Sequence, residues 1–341
     1  MSVQVSIVRS LALTAALFGF AACSASNGGA LKSSADVNAG IIGGTDATGN
    51  EEFAKAVVLL YDKQVGAICS ASIISDRLLL TAAHCVASAP TSLFVVFGTD
   101  ISSTDIIVRR VVTTATTPVW PARQEQDLNT GDMAMVGFVG GLPPGYAPAK
   151  MLGDLTQLKD GGVVTLAGYG TSDGVAGSGA GKLRYVDTTI QKAAYSESEI
   201  LMEQSLGKGA CHGDSGGPAY INVNGERFLI GVTSRGVNDP GNHCGISSAY
   251  TSIAYYADWV KTEADTMGAD VDKIFAALKQ AKAAKDSSQD PAAAAAKPST
   301  TSAPDQQPAQ QSVPQKRSRK HKAPQVPAQN SDQNPSQAVA S

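Results

Sequence analysis

Aromatic residues are scarce in this chain, only 6% of 341 residues, and charged residues make up only 17%. Few aromatics beside 34 glycines imply many turns, which favours an all-β architecture over a helical bundle. The net charge of −3 argues against a dedicated nucleic-acid binder, although charge can still be segregated along the chain, and 43% hydrophobic content fits a sizeable core. The apolar run LALTAALFGFAA (11–22) is about 12 residues long, well short of the roughly 20 that cross a bilayer. Following Arg9 and ending in small residues, it reads as a signal peptide over 1–22. Isoleucine, leucine, methionine and aromatics are all missing from residues 286–341. Such a segment cannot offset the entropy of ordering, so it is expected to be a disordered Pro/Ala/Gln-rich tail. Its basic run KRSRKHK (316–322) reads as a solvated patch, with attraction to anionic envelope polymers or lipids as the sharper alternative.

Cysteines are few as well: Cys23, Cys69, Cys85, Cys211 and Cys244. An exported chain keeps its disulfides, and four of these cysteines fall in the globular part, enough for two bridges. Cys23 is left over where the apolar run ends. The ending FAAC resembles the cleavage box of bacterial lipoproteins, although Phe20 stands where leucine is usual. Lipidation of Cys23 accounts for the unpaired thiol and implies membrane attachment; ordinary signal cleavage nearby is the alternative.

Residues 23–40 are small and polar and read as a linker or pro-segment. From 41 onward, short β-like runs alternate with turns: AVVLLY (56–61), ASIIS (71–75), RLLLT (77–81), SLFVVFG (92–98), DIIVRRVV (105–112), MAMVGF (133–138), GVVTLAGYG (162–170) and RFLIGVTS (227–234). Regular short strands of this kind predict a sandwich or barrel. TSDGVAGSGAG (171–181) reads as a mobile surface loop. A helix is predicted over 252–265, and a second over 268–285, where Val271, Ile274, Phe275 and Leu278 recur at helical spacing. The second helix could pack on the domain or begin a stalk.

Chemistry concentrates at three places. His84 ends the run LLLTAAHC (78–85), Asp132 opens the strand-like DMAMVGF (132–138), and Ser215 sits in GACHGDSGGPAY (209–220). Gly, Pro, Asp and Ser are the ordinary residues of a tight turn, so the last stretch alone proves nothing. A nucleophilic serine needs a base for its proton, a carboxylate to orient that base, and donors for the developing oxyanion. Asp132, at the edge of a core strand, can accept from an imidazole; Asp127 is the nearest competitor, but no strand follows it. The chain order His84, Asp132, Ser215 distinguishes this arrangement from those of other triad folds.

IIGG (41–44), TAAHC (81–85), DMAMV (132–136) and GDSGGP (213–218), taken in order, resemble the chymotrypsin/trypsin-like serine endopeptidases. The similarity spans about 41–265 and ends in YTSIAYYADWV, which looks like that family's closing strand and helix. The resemblance implies a domain over 41–267 built as two six-stranded antiparallel β-barrels, with a C-terminal helix beyond. It implies His84 as general base and acid, Asp132 as its orienter, Ser215 as nucleophile, and Gly213 and Ser215 N–H as the oxyanion hole. Cys69–Cys85 and Cys211–Cys244 match two of the family's bridges. The alternative for Cys211–His212 and His243–Cys244 is zinc, but adjacent residues in extended chain face opposite ways. The expectation is therefore disulfides, with no metal and no cofactor.

In this family a new N-terminus, here Ile41, folds inward and its ammonium pairs with the aspartate before the nucleophile, here Asp214. Gly40 stands where relatives carry Arg or Lys, and Lys32 is the nearest basic residue upstream, so the activating protease has some other specificity. The position of the specificity-pocket floor holds Gly209 instead of Asp, which predicts weak or no preference for Lys and Arg. Gly236 and Ser248 would form the walls and leave room for an uncharged side chain. In Ser234-Arg235-Gly236 the arginine replaces a common tryptophan, so the adjoining subsite is expected to favour acidic or polar groups.

The expected protein is an exported, monomeric endopeptidase acting on protein or peptide substrates, lipid-anchored in the cell envelope or secreted. The competing reading is a catalytically silent homologue serving as a binding or adhesion module.

Overall fold

The computed structural model describes residues 41–241 and 243–288. The expected signal peptide, Cys23, the linker and the tail beyond residue 288, with its basic run, fall outside these residues; residues 286–288, expected to open the disordered tail, are instead helical. Thirteen strands form in chain order: β1 (Thr45–Asp46), β2 (Val57–Asp62), β3 (Ala67–Ile73), β4 (Leu78–Thr81), β5 (Leu93–Phe97), β6 (Ile107–Thr116), β7 (Ala134–Val139), β8 (Val163–Gly168), β9 (Arg184–Lys192), β10 (Glu199–Glu203), β11 (Pro218–Val223), β12 (Glu226–Val237) and β13 (Ser247–Ser252). A one-turn helix, α1 (Trp120–Arg123), and a long one, α2 (Ala257–Ser288), complete the chain.

Strands β2-β3-β4-β7-β6-β5 close into one antiparallel barrel. The ring β9-β10-β13-β12-β11-β8 closes a second through the β8–β9 pairing, and β1 pairs with β9 outside it. The two six-stranded barrels expected from the motifs are therefore present. Each has its own core. Leu59, Leu79, Val95, Met135 and Phe138 are among those filling the first; Val164, Leu166, Ile200 and Ile230 are among those filling the second. Closure leaves neither barrel with an open sheet edge to cover.

The second barrel holds most of the strands that hydrophobic runs did not reveal. In β9 the buried residues include Arg184, Val186, Thr188 and Ile190, so alternation is real but two of its inward positions are polar. Arg184 is matched by Asp46 of β1, with Nε 2.5 Å from Oδ1.

The C-terminal segment differs from its sequence reading. The two predicted helices are one, and it begins at Ala257 instead of residue 252. Val260, Met267 and Val271 are buried in the first barrel's core cluster, with Phe275 packed against it. The helix thus leaves the second barrel and docks on the first; over these turns it is not a stalk. Among the described residues no helix is long and apolar enough to cross a membrane.

The loop 171–181 is closed on itself, because Asp173 Oδ1 accepts Val175 N and Ala176 N at 2.9 and 2.8 Å. Both expected disulfides are formed, with Cα–Cα separations of 6.2 Å for Cys69–Cys85 and 5.2 Å for Cys211–Cys244. The 16-residue separation of the first implies about 3 kcal/mol of stabilisation in the loop-entropy picture. With these sulfurs bonded to one another, no thiolate is left for the zinc alternative.

Candidate active site

His84 lies in a single 3-10 turn (Ala83–Val86) just past β4, and Asp132 lies just before β7, which pairs with β4. This pairing brings them together although 48 positions separate them: His84 Nδ1 is 2.8 Å from Asp132 Oδ2. His84 N also donates to Asp132 Oδ1 at 3.1 Å. The carboxylate is 2% exposed and takes a third bond, from Ser234 Oγ at 2.7 Å. Three donors fix this buried carboxylate in one orientation. Asp127, the competitor, is exposed and meets Arg235 only through its carbonyl.

Burial by itself would push the His84 imidazole down. The hydrogen bond and the charge of Asp132 outweigh it and hold the pKa above the ordinary 6.5. The Nδ1–Asp132 contact leaves Nε2 as the nitrogen able to exchange a proton elsewhere.

The turn that carries Ser215 packs against the first barrel from the second. Its carbonyl accepts Ser70 N at 2.8 Å, which fastens the turn to β3 of the first. Gly216, with φ of 79°, allows this approach: a Cβ there would collide with Thr81 Oγ1 and the Ser70 carbonyl, beside the segment leading to His84. Gly213 has φ of 94°. Its carbonyl accepts Ser70 Oγ at 2.9 Å, and the same hydroxyl accepts Tyr169 N at 2.9 Å. Ser70 therefore pins the glycine-rich turn to both barrels, a role no motif announced.

Asp214 is fully buried, and its carboxylate accepts Gly170 N and Cys211 N, each at 2.8 Å. Desolvation pushes its pKa up to about 7, although the two N–H groups and the charge of Arg184 pull the other way. Ile41 is also fully buried, in the second-barrel core with Ala210 and Tyr250. Next to it, Ile42 and Gly209 exchange backbone hydrogen bonds of 2.9 and 3.0 Å.

Ser215, Ser234, Arg235, Gly236 and Ser248 line one cavity of about 260 Å³, so most of the expected pocket residues do converge. Gly209 does not line it. The space a side chain at 209 would take is filled by Gln204, whose amide would collide with a Cβ there. Gln204 Nε2 donates to the Ala210 and Cys244 carbonyls at 3.2 and 2.9 Å, and Oε1 accepts Ala210 N at 2.8 Å and Ser248 Oγ at 2.6 Å. Asp239 also lines the cavity and was not singled out from the sequence.

Arg235 departs from its expected part. Its guanidinium is bidentate on Glu199, at 2.8 and 3.1 Å, and also donates to the Asp127 carbonyl. A cation already matched by a buried carboxylate does not reward an acidic substrate group, so the acidic-subsite expectation loses its basis. Glu199 also accepts Thr130 N and Oγ1, at 3.3 and 3.2 Å, which links the pair to the turn before Asp132. Nothing in the sequence marks Glu199 or Gln204; both lie on or just beyond β10, a strand of ordinary composition.

Comparison with known proteins agrees with this architecture. The family model described as Trypsin matches residues 41–260. Brachyurin of Leptuca pugilator is 29% identical over 231 residues, covering 65% of this chain and 98% of its own length. Trypsin-1 of Astacus astacus is 27% identical, covering 66% of this chain and all of its own length. CLIP domain-containing serine protease B4 of Anopheles gambiae is 28% identical, covering 65% of this chain and 69% of its own. With that match over two closed barrels, the chain belongs to the trypsin family and is a serine endopeptidase.

Proposed function

We propose that the protein is an exported endopeptidase, made as a zymogen, that cleaves protein substrates through an acyl-enzyme at Ser215 and lacks a trypsin-like preference. The observation that carries this reading is the 2.8 Å contact of His84 Nδ1 with Asp132 Oδ2, set where the Ser215 turn packs on the first barrel. Ser215 Oγ attacks the scissile carbonyl carbon while His84 Nε2 takes its proton. The oxyanion accepts hydrogen bonds from Gly213 N–H and Ser215 N–H; one such donor is worth roughly 3 to 4 kcal/mol of barrier. Collapse breaks the C–N bond, and His84 passes the proton to the leaving amine. Water, deprotonated by His84, then releases the acyl group and restores Ser215.

Activation follows cleavage of the Gly40–Ile41 bond. The new ammonium at Ile41 pairs with Asp214, a buried carboxylate otherwise met by two backbone N–H groups. Because Asp214 also holds Cys211 N, that ion pair orders the turn carrying Gly213 and Ser215. Gly40 at the scissile position calls for an activator that does not require Lys or Arg. The apolar run 11–22 and the FAAC ending support export with lipid attachment at Cys23. With Gln204 filling the place of a floor carboxylate and the Asp239 carboxylate on the wall only half-buried, the pocket suits an uncharged side chain at the substrate residue preceding the scissile bond (P1). Cleavage confined to Lys and Arg would sink that part.

The test is labelling by a fluorophosphonate probe. The form beginning at Ile41 should label stoichiometrically, the Ser215→Ala variant should not, and the uncleaved chain should label slowly. An unlabelled mature form would instead favour a silent homologue acting as a binding module.

A further inference from the structure

The hydrogen-bond directions around the 260 Å³ cavity say which side chain it accepts. The Gln204 amide fixes them. Its Nε2 faces two carbonyls, Ala210 O and Cys244 O, and its oxygen faces the Ala210 N–H. The flipped amide would set N–H against N–H and oxygen against oxygen, so Oε1 is an acceptor. Ser248 Oγ, 2.6 Å from that oxygen, must therefore donate to it. The Ser248 hydrogen is spent behind the cavity wall, and what the hydroxyl can offer the cavity is lone pairs.

The same holds for its neighbours. Thr233 Oγ1 donates to Gly217 O at 3.0 Å, and Ser234 Oγ to Asp132 at 2.7 Å. Cys244 N donates to Asp239 Oδ2 at 2.5 Å, and Cys211 N to Asp214. The hydrogen bonds of Arg235 run to Glu199 and the Asp127 carbonyl. Of the side-chain groups on the wall, the hydroxyl oxygens and the Asp239 carboxylate accept, while His212 and the Arg235 N–H groups beyond these three bonds are among its donors.

We propose that this cavity selects a P1 side chain tipped with an uncharged N–H donor, glutamine or asparagine, over apolar or acidic side chains of the same length. This rests on the endopeptidase reading above and names its substrate class. A glutamine amide gives its hydrogens to Ser248 Oγ or Asp239. A methionine of equal length leaves those lone pairs dry and unpaired. A glutamate opposes them with further lone pairs and a like charge beside Asp239. A lysine or arginine gains less than in a pocket with a fully buried carboxylate, because Asp239 is half-buried and shares an oxygen with Cys244 N.

The test compares three peptides identical except for Gln, Met or Glu at P1, with enzyme concentration set by fluorophosphonate titration. The Gln peptide is expected to exceed the Met peptide about tenfold in kcat/KM, the worth of roughly one buried neutral hydrogen bond, with Glu the poorest. Ser248→Ala should bring the Gln:Met ratio towards one. Gln204→Met, which releases the Ser248 hydrogen, should raise the Glu peptide relative to Gln. Titrated enzyme that cleaves Met as well as Gln, or a Ser248→Ala variant with an unchanged ratio, overturns the proposal. Failure to titrate at all counts instead against the endopeptidase reading beneath it.

Discussion

Arg235 and Glu199 form a two-bond ion pair across the second barrel, with the Glu199 side chain 0% and the Arg235 side chain 26% exposed. Burial raises the pKa of Glu199, but the hydrogen bond and charge of Arg235 dominate and hold it below the ordinary carboxylate value. Removing one partner strands the other's charge. Arg235→Leu should cost about 3 to 5 kcal/mol of unfolding free energy, and an Arg235→Leu, Glu199→Leu double variant should regain most of it. Urea unfolding of the parent chain, Arg235→Leu, Glu199→Leu and the double variant checks this; additive losses would deny the coupling. Because the folded pKa is depressed, the pair's contribution is present above pH 4.5 and fades as pH falls through the folded value.

The proposed mechanism requires His84 neutral, and Asp132 raises its pKa above 6.5. Activity should therefore fall as pH drops through a midpoint above 6.5. Asp132→Asn should move that midpoint to or below 6.5 and lower kcat on the order of 10⁴-fold, the loss established for this aspartate in the family. A pH profile of kcat/KM for both forms decides; an unmoved limb would mean that another group titrates.

Asp214 titrates in the opposite sense to Glu199. Its folded pKa of about 7 lies above the unfolded 3.8, so between these values the folded uncleaved chain binds more protons than the unfolded one. Stability of the uncleaved chain should fall as pH rises from about 4 to about 7, by on the order of 4 kcal/mol. Thermal unfolding of uncleaved Ser215→Ala should show this slope, and adding Asp214→Asn should remove it. In the form beginning at Ile41, the ammonium should flatten it.

Gly209 cannot be converted into a basic-specific floor by one substitution, because the Gln204 amide occupies the required space. Gly209→Asp alone should lose stability and gain no cleavage after Lys or Arg. Paired with Gln204→Gly, it should gain measurable turnover of a P1 Lys peptide. Equal Lys turnover in the single variant would show that Gln204 yields easily.

The eight apolar runs all became strands; most supply a continuous or alternating buried face, whereas β6 buries only Val111. β9 and β10 escaped notice for a different reason: Thr188 and Glu199 point inward, paid for by partners far away in sequence, Glu203 O and Arg235. The helix break drawn near residue 266 reflected a weak pattern around Gly268, yet Met267 and Val271 bury together on the first barrel and carry the helix through.

The proposed constellation could be read from the sequence because its chemistry tolerates few residue types: an imidazole, a carboxylate and a hydroxyl in one order, each set in a turn of small residues. Pocket character was not. Whether a glycine at 209 leaves an open floor depends on whether another side chain enters the gap, and Gln204 does so from five positions away. Whether Arg235 faces substrate as a free cation depends on Glu199, brought to it by strand order alone. Sequence marked the family and the groups proposed to react, since that is a matter of residue type and order. Tertiary structure decided which charges and hydrogens remain available to a substrate, since that depends on every partner folding brings within hydrogen-bond reach.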